Sequence, residues 1–89
     1  MEGKLLLLPH GVRAVDVVFE NVISPAVNAR VHALSRAVLS KEKPGIINCI
    51  PGYRVLTVEY DPLRLTYGQI CLFLRGLSVE EERRTAVGL

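Results

Sequence analysis

The stretch Pro44–Pro62, PGIINCIPGYRVLTVEYDP, decides how the chain is read. It holds two runs of strand character that meet at Pro51-Gly52, and it closes on Asp61-Pro62. The run Tyr53–Tyr60 is rich in Val, Thr and Tyr, whose branched or aromatic side chains suit a pleated, half-buried surface. Alternation places Leu56, Val58 and Tyr60 on one face and Tyr53, Val55, Thr57 and Glu59 on the other. The first face fits packing under helices. The second is semi-apolar, and meets water or another protein surface. Ile46–Ile50 is the companion strand. Pro51-Gly52 fits the centre of a type II turn, with proline presetting φ and glycine taking the positive φ. That turn matches hairpin twist poorly, so a bulge is expected near it.

Towards the N-terminus, Ser24-Pro25 starts a helix. The serine hydroxyl can accept from an orphan backbone N–H, and proline at the first helical position wastes no donor. Val27, Val31, Leu34 and Val38 then recur at helical spacing, with Arg30 and Arg36 off the stripe. This predicts an amphipathic helix of about four turns. Lys41 and Lys43 favour its C-terminal end, and Pro44-Gly45 closes it. Before it, Arg13–Phe19 alternates, with Val15, Val17 and Phe19 as the core face. Leu5–Leu8 is a short strand stopped by Pro9 and Gly11.

Towards the C-terminus, Thr66 and Gln69 have capping-box spacing. The helix they open runs to about Leu77, with Ile70, Phe73, Leu74 and Leu77 as its apolar stripe. Residues 1–78 thus make one domain, and 79–89 a polar tail, either disordered or adding a marginal strand at Thr85–Val87. The order strand, helix, strand, strand, helix has one simple closed solution. It is an α+β, ferredoxin-like split βαβ plait, an antiparallel sheet with two helices on one face.

Composition narrows the function classes. At 89 residues, 49% apolar and 22% charged, the chain is globular rather than disordered. A net charge of +2 without a basic cluster gives nucleic acid no footprint. Glu80, Glu81, Glu82, Arg83 and Arg84 mix signs and read as a solvated helix end or tail. Lys4 with Leu5–Leu8 mimics a signal peptide, but the apolar run is short and Pro9 ends it without a cleavage site. No segment approaches the roughly 20 apolar residues that span a bilayer, so the expected compartment is cytoplasmic. Cys49 and Cys71 lie inside apolar runs without a CxxC pair, and read as two buried thiols rather than a disulfide or zinc site.

Residue sets for chemistry are sparse. His10 lies in a bend and His32 on the first helix, neither with an acid at ligand spacing, so both read as surface residues. No serine sits in a nucleophile elbow, and no glycine cluster forms a phosphate loop. Asp16, Glu20, Glu59 and Asp61 line an acidic edge if their strands are neighbours, more simply a solvated face than a metal site. The expectation is no catalytic and no metal set. Three residues stand out for contact with a ligand or partner. Arg54, beside Tyr53 at the Pro-Gly corner, either pins the start of its strand or forks onto a ligand. Asn28, one turn into the helix, either ties that helix to the sheet or meets a partner. The semi-apolar face of Val55 and Thr57 also leaves a homodimer open.

Several phrases together carry a family resemblance: Leu8-Pro9-x-Gly11, Val17-Val18-Phe19, Ser24-Pro25-x-Val27-Asn28, Pro44-Gly45-Ile46, and Pro51-x-Tyr53-Arg54-x-Leu56-x-Val58-x-Tyr60-Asp61-Pro62. Over about residues 5–77 the chain resembles the N-terminal domain of the KipI family, whose members are also called allophanate hydrolase subunit 1 and form one component of a bacterial 5-oxoprolinase. It departs from the family pattern at Val12, where aspartate is usual, and at Val55, where serine is usual. The resemblance implies a ferredoxin-like domain that accompanies a cyclophilin-like domain lying outside these 89 residues. It further implies a KipA-like carboxyltransferase-type partner and a LamB/YcsF-like subunit, which together open 5-oxoproline with ATP. The cofactor ATP belongs to that complete complex, none to this domain, whose role is accessory. Another member of the family inhibits a sensor histidine kinase, which is the alternative function.

Overall fold

The alternating and helical stripes become six elements in the computed structural model, which describes residues 6–22 and 24–87, with no account of the side chains of 82 and 84–87. In chain order they are β1 (Leu6–Pro9), β2 (Ala14–Val18), α1 (Pro25–Ser40), β3 (Ile46–Pro51), β4 (Val55–Tyr60) and α2 (Tyr67–Val87). The proposed start of the first strand at Leu5, and the run Met1–Lys4 before it, lie outside the described residues. The strands form one sheet in the order β1-β2-β4-β3, each neighbouring pair antiparallel. β2 and β3 are therefore parallel with β4 between them and α1 crossing over, which is the split βαβ unit.

One face of the sheet is dry. Val15, Val17, Leu56 and Val58 are fully buried, and they meet Val27, Val31, Leu34 and Val38 from α1 and Ile70, Leu74 and Leu77 from α2 in a single core. Both predicted helical stripes are thus the core-facing ones, and both helices cover the same face. The helix starts follow the predicted chemistry. Ser24 Oγ accepts from the Val27 N–H at 3.1 Å. Thr66 and Gln69 satisfy each other, Gln69 N–H donating to Thr66 Oγ1 at 3.1 Å and Thr66 N–H to Gln69 Oε1 at 2.9 Å.

Three expectations are corrected. First, α2 does not end near Leu77 but continues to Val87, so 79–87 is helix and Thr85–Val87 is not a strand. The reason is topological: the sheet edge beside β2, where a plait seats its last strand, is already filled by β1. Second, Pro51-Gly52 is not a type II turn. Pro51 pairs with Leu56 inside β3, and Gly52 is not among the residues with positive φ. The tip is Tyr53-Arg54, and Gly52 N–H donates to the Val55 carbonyl at 2.8 Å. Glycine is needed there for close approach, because a Cβ would stand 3.2 Å from that carbonyl. Third, the bulge lies at the other end of β3, between Ile46 and Asn48.

The α1–β3 connection explains Pro44-Gly45. Glu42 leaves the helix at φ 50, and Gly45 takes φ 99. The Gly45 carbonyl accepts from the Asp61 N–H at 2.7 Å, closing the β3–β4 ladder. Both cysteines are free thiols; Cys49 is buried, as the apolar run around it predicts, whereas Cys71 is only half-buried.

Candidate functional site

Two surfaces gather polar side chains. The first is the corner where β2 ends, α1 begins and the β3–β4 turn projects, and it contains all three residues singled out from sequence. Phe19 N–H donates to the Arg54 carbonyl at 2.8 Å, and Arg54 Nη1 reaches back to the Phe19 carbonyl at 3.4 Å. Asn28 Nδ2 donates to the Gly52 carbonyl at 3.0 Å. So Asn28 ties the helix to the turn, and Arg54 pins its strand to a neighbouring carbonyl rather than to an acid. Tyr53 sits at the tip with 72% of its surface exposed.

The corner has its own ion pair. Arg30 Nη1 lies 2.7 Å from both carboxylate oxygens of Glu20, and its guanidinium stacks over the Phe19 ring at 5.2 Å. The Arg30 hydrogen bond, joined by a backbone hydrogen bond, holds the Glu20 carboxyl below its ordinary value. The charge of Arg30 is therefore spoken for, and its Nη1, shared between both Glu20 oxygens, ties α1 to the loop after β2.

The second surface is the open face of the sheet. Asp16 is its hub: Thr57 Oγ1 donates to Asp16 Oδ1 at 2.7 Å, and His10 Nδ1 lies 2.9 Å from Asp16 Oδ2. Leu8 and Ile50 flank this row, 44% and 48% exposed. By sequence alone His10 reads as an isolated surface histidine. The signal that finds this chain of groups is strand register, since Asp16 pairs with Thr57 on β4 and with Leu8 two residues before His10. The Thr57 hydroxyl donates to Asp16, not to His10, so these two do not form a nucleophile–base pair.

The acidic edge expected from sequence is dispersed. Asp16 and Glu59 lie on the open face, Glu20 pairs with Arg30, and Asp61 accepts from the Leu63 N–H at 3.0 Å in a local turn. Among the described residues no three His, Cys, Asp or Glu side chains group to hold a metal ion. A groove of about 240 Å³ lies along Ala33, Arg36, Ala37, Ser40 and Glu81. It falls short of the ~300–1,000 Å³ of small-molecule sites. No helix among the described residues is long and apolar enough to cross a membrane.

The geometry has relatives of known structure. A conserved uncharacterized protein from Pyrococcus horikoshii is 32% identical with a TM-score of 0.84, over 89% of this chain. This chain spans only 37% of that archaeal chain. The N-terminal domain of the histidine kinase inhibitor KipI from Bacillus subtilis is 26% identical with a TM-score of 0.62, over 99% of this chain and 88% of that one. A comparison with curated proteins gives no match. The KipI resemblance read from the Pro51–Pro62 motif thus holds at the level of structure. Residues 5–88, nearly the whole chain, match the carboxyltransferase domain, subdomain C and D, and the protein belongs to that family.

Proposed function

We propose that these residues form an accessory, partner-binding domain of a KipI-like subunit, working with a KipA-like carboxyltransferase-type protein in an ATP-dependent ring-opening or amide-hydrolysing complex. The observation that carries this reading is the corner itself. An aromatic side chain, exposed but mounted on a turn fastened by Asn28 and Arg54, is the kind of anchor on which binding energy concentrates. No nucleophile–base pair supports independent chemistry among the described residues, and membership of the carboxyltransferase family supplies the class of assembly. In this reading ATP and a third, LamB/YcsF-like protein are parts of the complete complex. The test is reconstitution of the protein with KipA-like and LamB/YcsF-like partners, ATP and 5-oxoproline. The reading expects glutamate, and activity that collapses when this protein is omitted. Unaltered turnover without it overturns the reading.

A second reading is inhibition of a sensor histidine kinase. It is favoured by the alignment with the KipI N-terminal domain over 99% of the chain. An autophosphorylation assay separates the two: an unchanged rate at saturating protein disposes of the inhibitor reading.

A further inference from the structure

The sheet has two outer strands, β1 and β3, and an outer strand ordinarily offers a row of unpaired N–H and C=O groups to another chain. Register shows which residues carry those groups. In an antiparallel ladder, hydrogen-bonded and non-hydrogen-bonded pairs alternate, and residues of the non-hydrogen-bonded pairs turn their backbone groups outward. The Gly52–Val55 hydrogen bond fixes the phase for β3: pairs Ile50–Thr57 and Asn48–Glu59 are bonded, while Cys49 and Pro51 face the free edge. The His10–Ala14 hydrogen bond does the same for β1, leaving Leu7 and Pro9 outward.

These four outward positions are not ordinary. Pro51 and Pro9 have no N–H to offer, which is why a sheet tolerates proline there. The Cys49 N–H donates to the carboxamide Oδ1 of its own neighbour Asn48, at 2.9 Å. That oxygen occupies the place a strand carbonyl of another chain would take. On β1 the Leu7 carbonyl is met by the Tyr67 hydroxyl from the first turn of α2, at 3.4 Å. The bulge between Ile46 and Asn48 bends the remaining end of β3 out of register.

We infer that the β3 edge of this sheet is closed to strand addition, with Asn48 as its guard and Pro51 as its second lock. The occupant refused is a second copy of the chain, which would otherwise pair β3 against β3 in antiparallel register. Ile47 and Ile50, 58% and 48% exposed, would make such a pairing adhesive if the donors were free. Association of two copies through β3 against β3 is therefore disfavoured at its backbone ladder.

The test removes both locks. In the variant Asn48→Val with Pro51→Val, two outward donors per chain are restored. Sedimentation equilibrium from micromolar to millimolar concentration should show self-association at least about tenfold tighter than in the parent. A folded double variant whose mass follows the parent's overturns the inference. Amide exchange tests the guard independently of that variant's folding. Asn48→Ala should accelerate exchange at Cys49 by about tenfold or more while Val58 in the next strand keeps its protection, and Asn48→Asp, which keeps the acceptor, should retain the slow rate. Exchange at Cys49 that ignores the loss of the carboxamide refutes the inference.

Discussion

Gly45→Ala tests the junction that closes the central hairpin. Gly45 is buried, takes φ 99, and lends its carbonyl to Asp61. Two costs arise from the added methyl. An L-residue in that backbone region is strained by about 1–3 kcal/mol. The new Cβ would also lie 2.8 Å from Leu65 Cγ, 2.9 Å from Leu65 Cδ1 and 3.2 Å from Arg64 Cβ. Leu65 is itself buried, so it cannot swing into solvent, and overpacking of this kind costs about 1–3 kcal/mol. Together the loss is about 2–6 kcal/mol, against roughly 4–13 kcal/mol for a domain of this length. Urea and thermal unfolding followed by circular dichroism should therefore show a midpoint lower by about 10 °C or more. Gly76→Ala is the internal control. It sits in α2 with nothing within 4 Å of an added Cβ, and should gain about 0.5–1 kcal/mol through helix propensity. A Gly45→Ala loss below about 0.5 kcal/mol, no larger than an ordinary surface change, would refute the close-approach argument.

Other consequences can be checked on the same protein. Tyr53→Ala should leave the unfolding midpoint nearly unchanged, within about 0.5 kcal/mol for an exposed site, yet weaken binding of the proposed carboxyltransferase-type partner about tenfold or more in calorimetry. The Glu20 carboxyl is depressed in the folded state, so its contribution to stability is fully present above its ordinary value of 4.5 and is lost as pH falls through the folded value. Glu20→Gln should accordingly flatten the acid limb of the stability profile and leave the neutral region little affected. Burial pushes the Cys49 thiol up, against a weaker lowering by Ser35, so it holds less thiolate at neutral pH than a free thiol. Iodoacetamide on the native protein, read by peptide mass, should label Cys71 well before Cys49. Replacing Thr66 by Ala opens one side of the reciprocal cap on α2 and should cost about 0.5–2 kcal/mol in thermal unfolding.

The parts of the fold legible in the sequence were those written as periodicity or as local hydrogen-bond chemistry. Val15-Val17-Phe19 and Leu56-Val58-Tyr60 could only be inward faces of strands, and Ser24-Pro25 and Thr66-x-x-Gln69 carry their helix starts in three or four residues. What was not legible depended on register between distant segments. Whether the Pro51-Gly52 pair turns or continues the strand is set by its pairing with Val55 and Leu56, not by its own preference. The extent of α2 was hidden for a related reason. Polar residues 79–87 lack a stripe strong enough to announce a helix, and what forbids the alternative strand is β1, formed some 70 residues earlier. The Asp16 hub was hidden likewise, because His10, Asp16 and Thr57 meet only once three strands are aligned. The corner residues were visible as a motif, but their hydrogen bonds were not.

That corner joins the fold to the proposed role. Its three segments, 19–20, 28–30 and 52–54, are held by a backbone hydrogen bond, a side-chain amide and a two-pronged ion pair. None of these hydrogen bonds involves β1 or α2. A side chain mounted on a fastened tip loses little freedom when a partner covers it, and that saving enters affinity directly. Tyr53 contributes little to the core, with 72% of its surface in water, while Asn28 and Arg54 beneath it spend their polar groups on holding the turn. The division of labour predicts opposite phenotypes: changes at Asn28 or Arg54 loosen the turn, and changes at Tyr53 spare it. With the β3 edge closed by Asn48 and Pro51, the corner offers a partner a fastened side chain that the ladder of that strand does not.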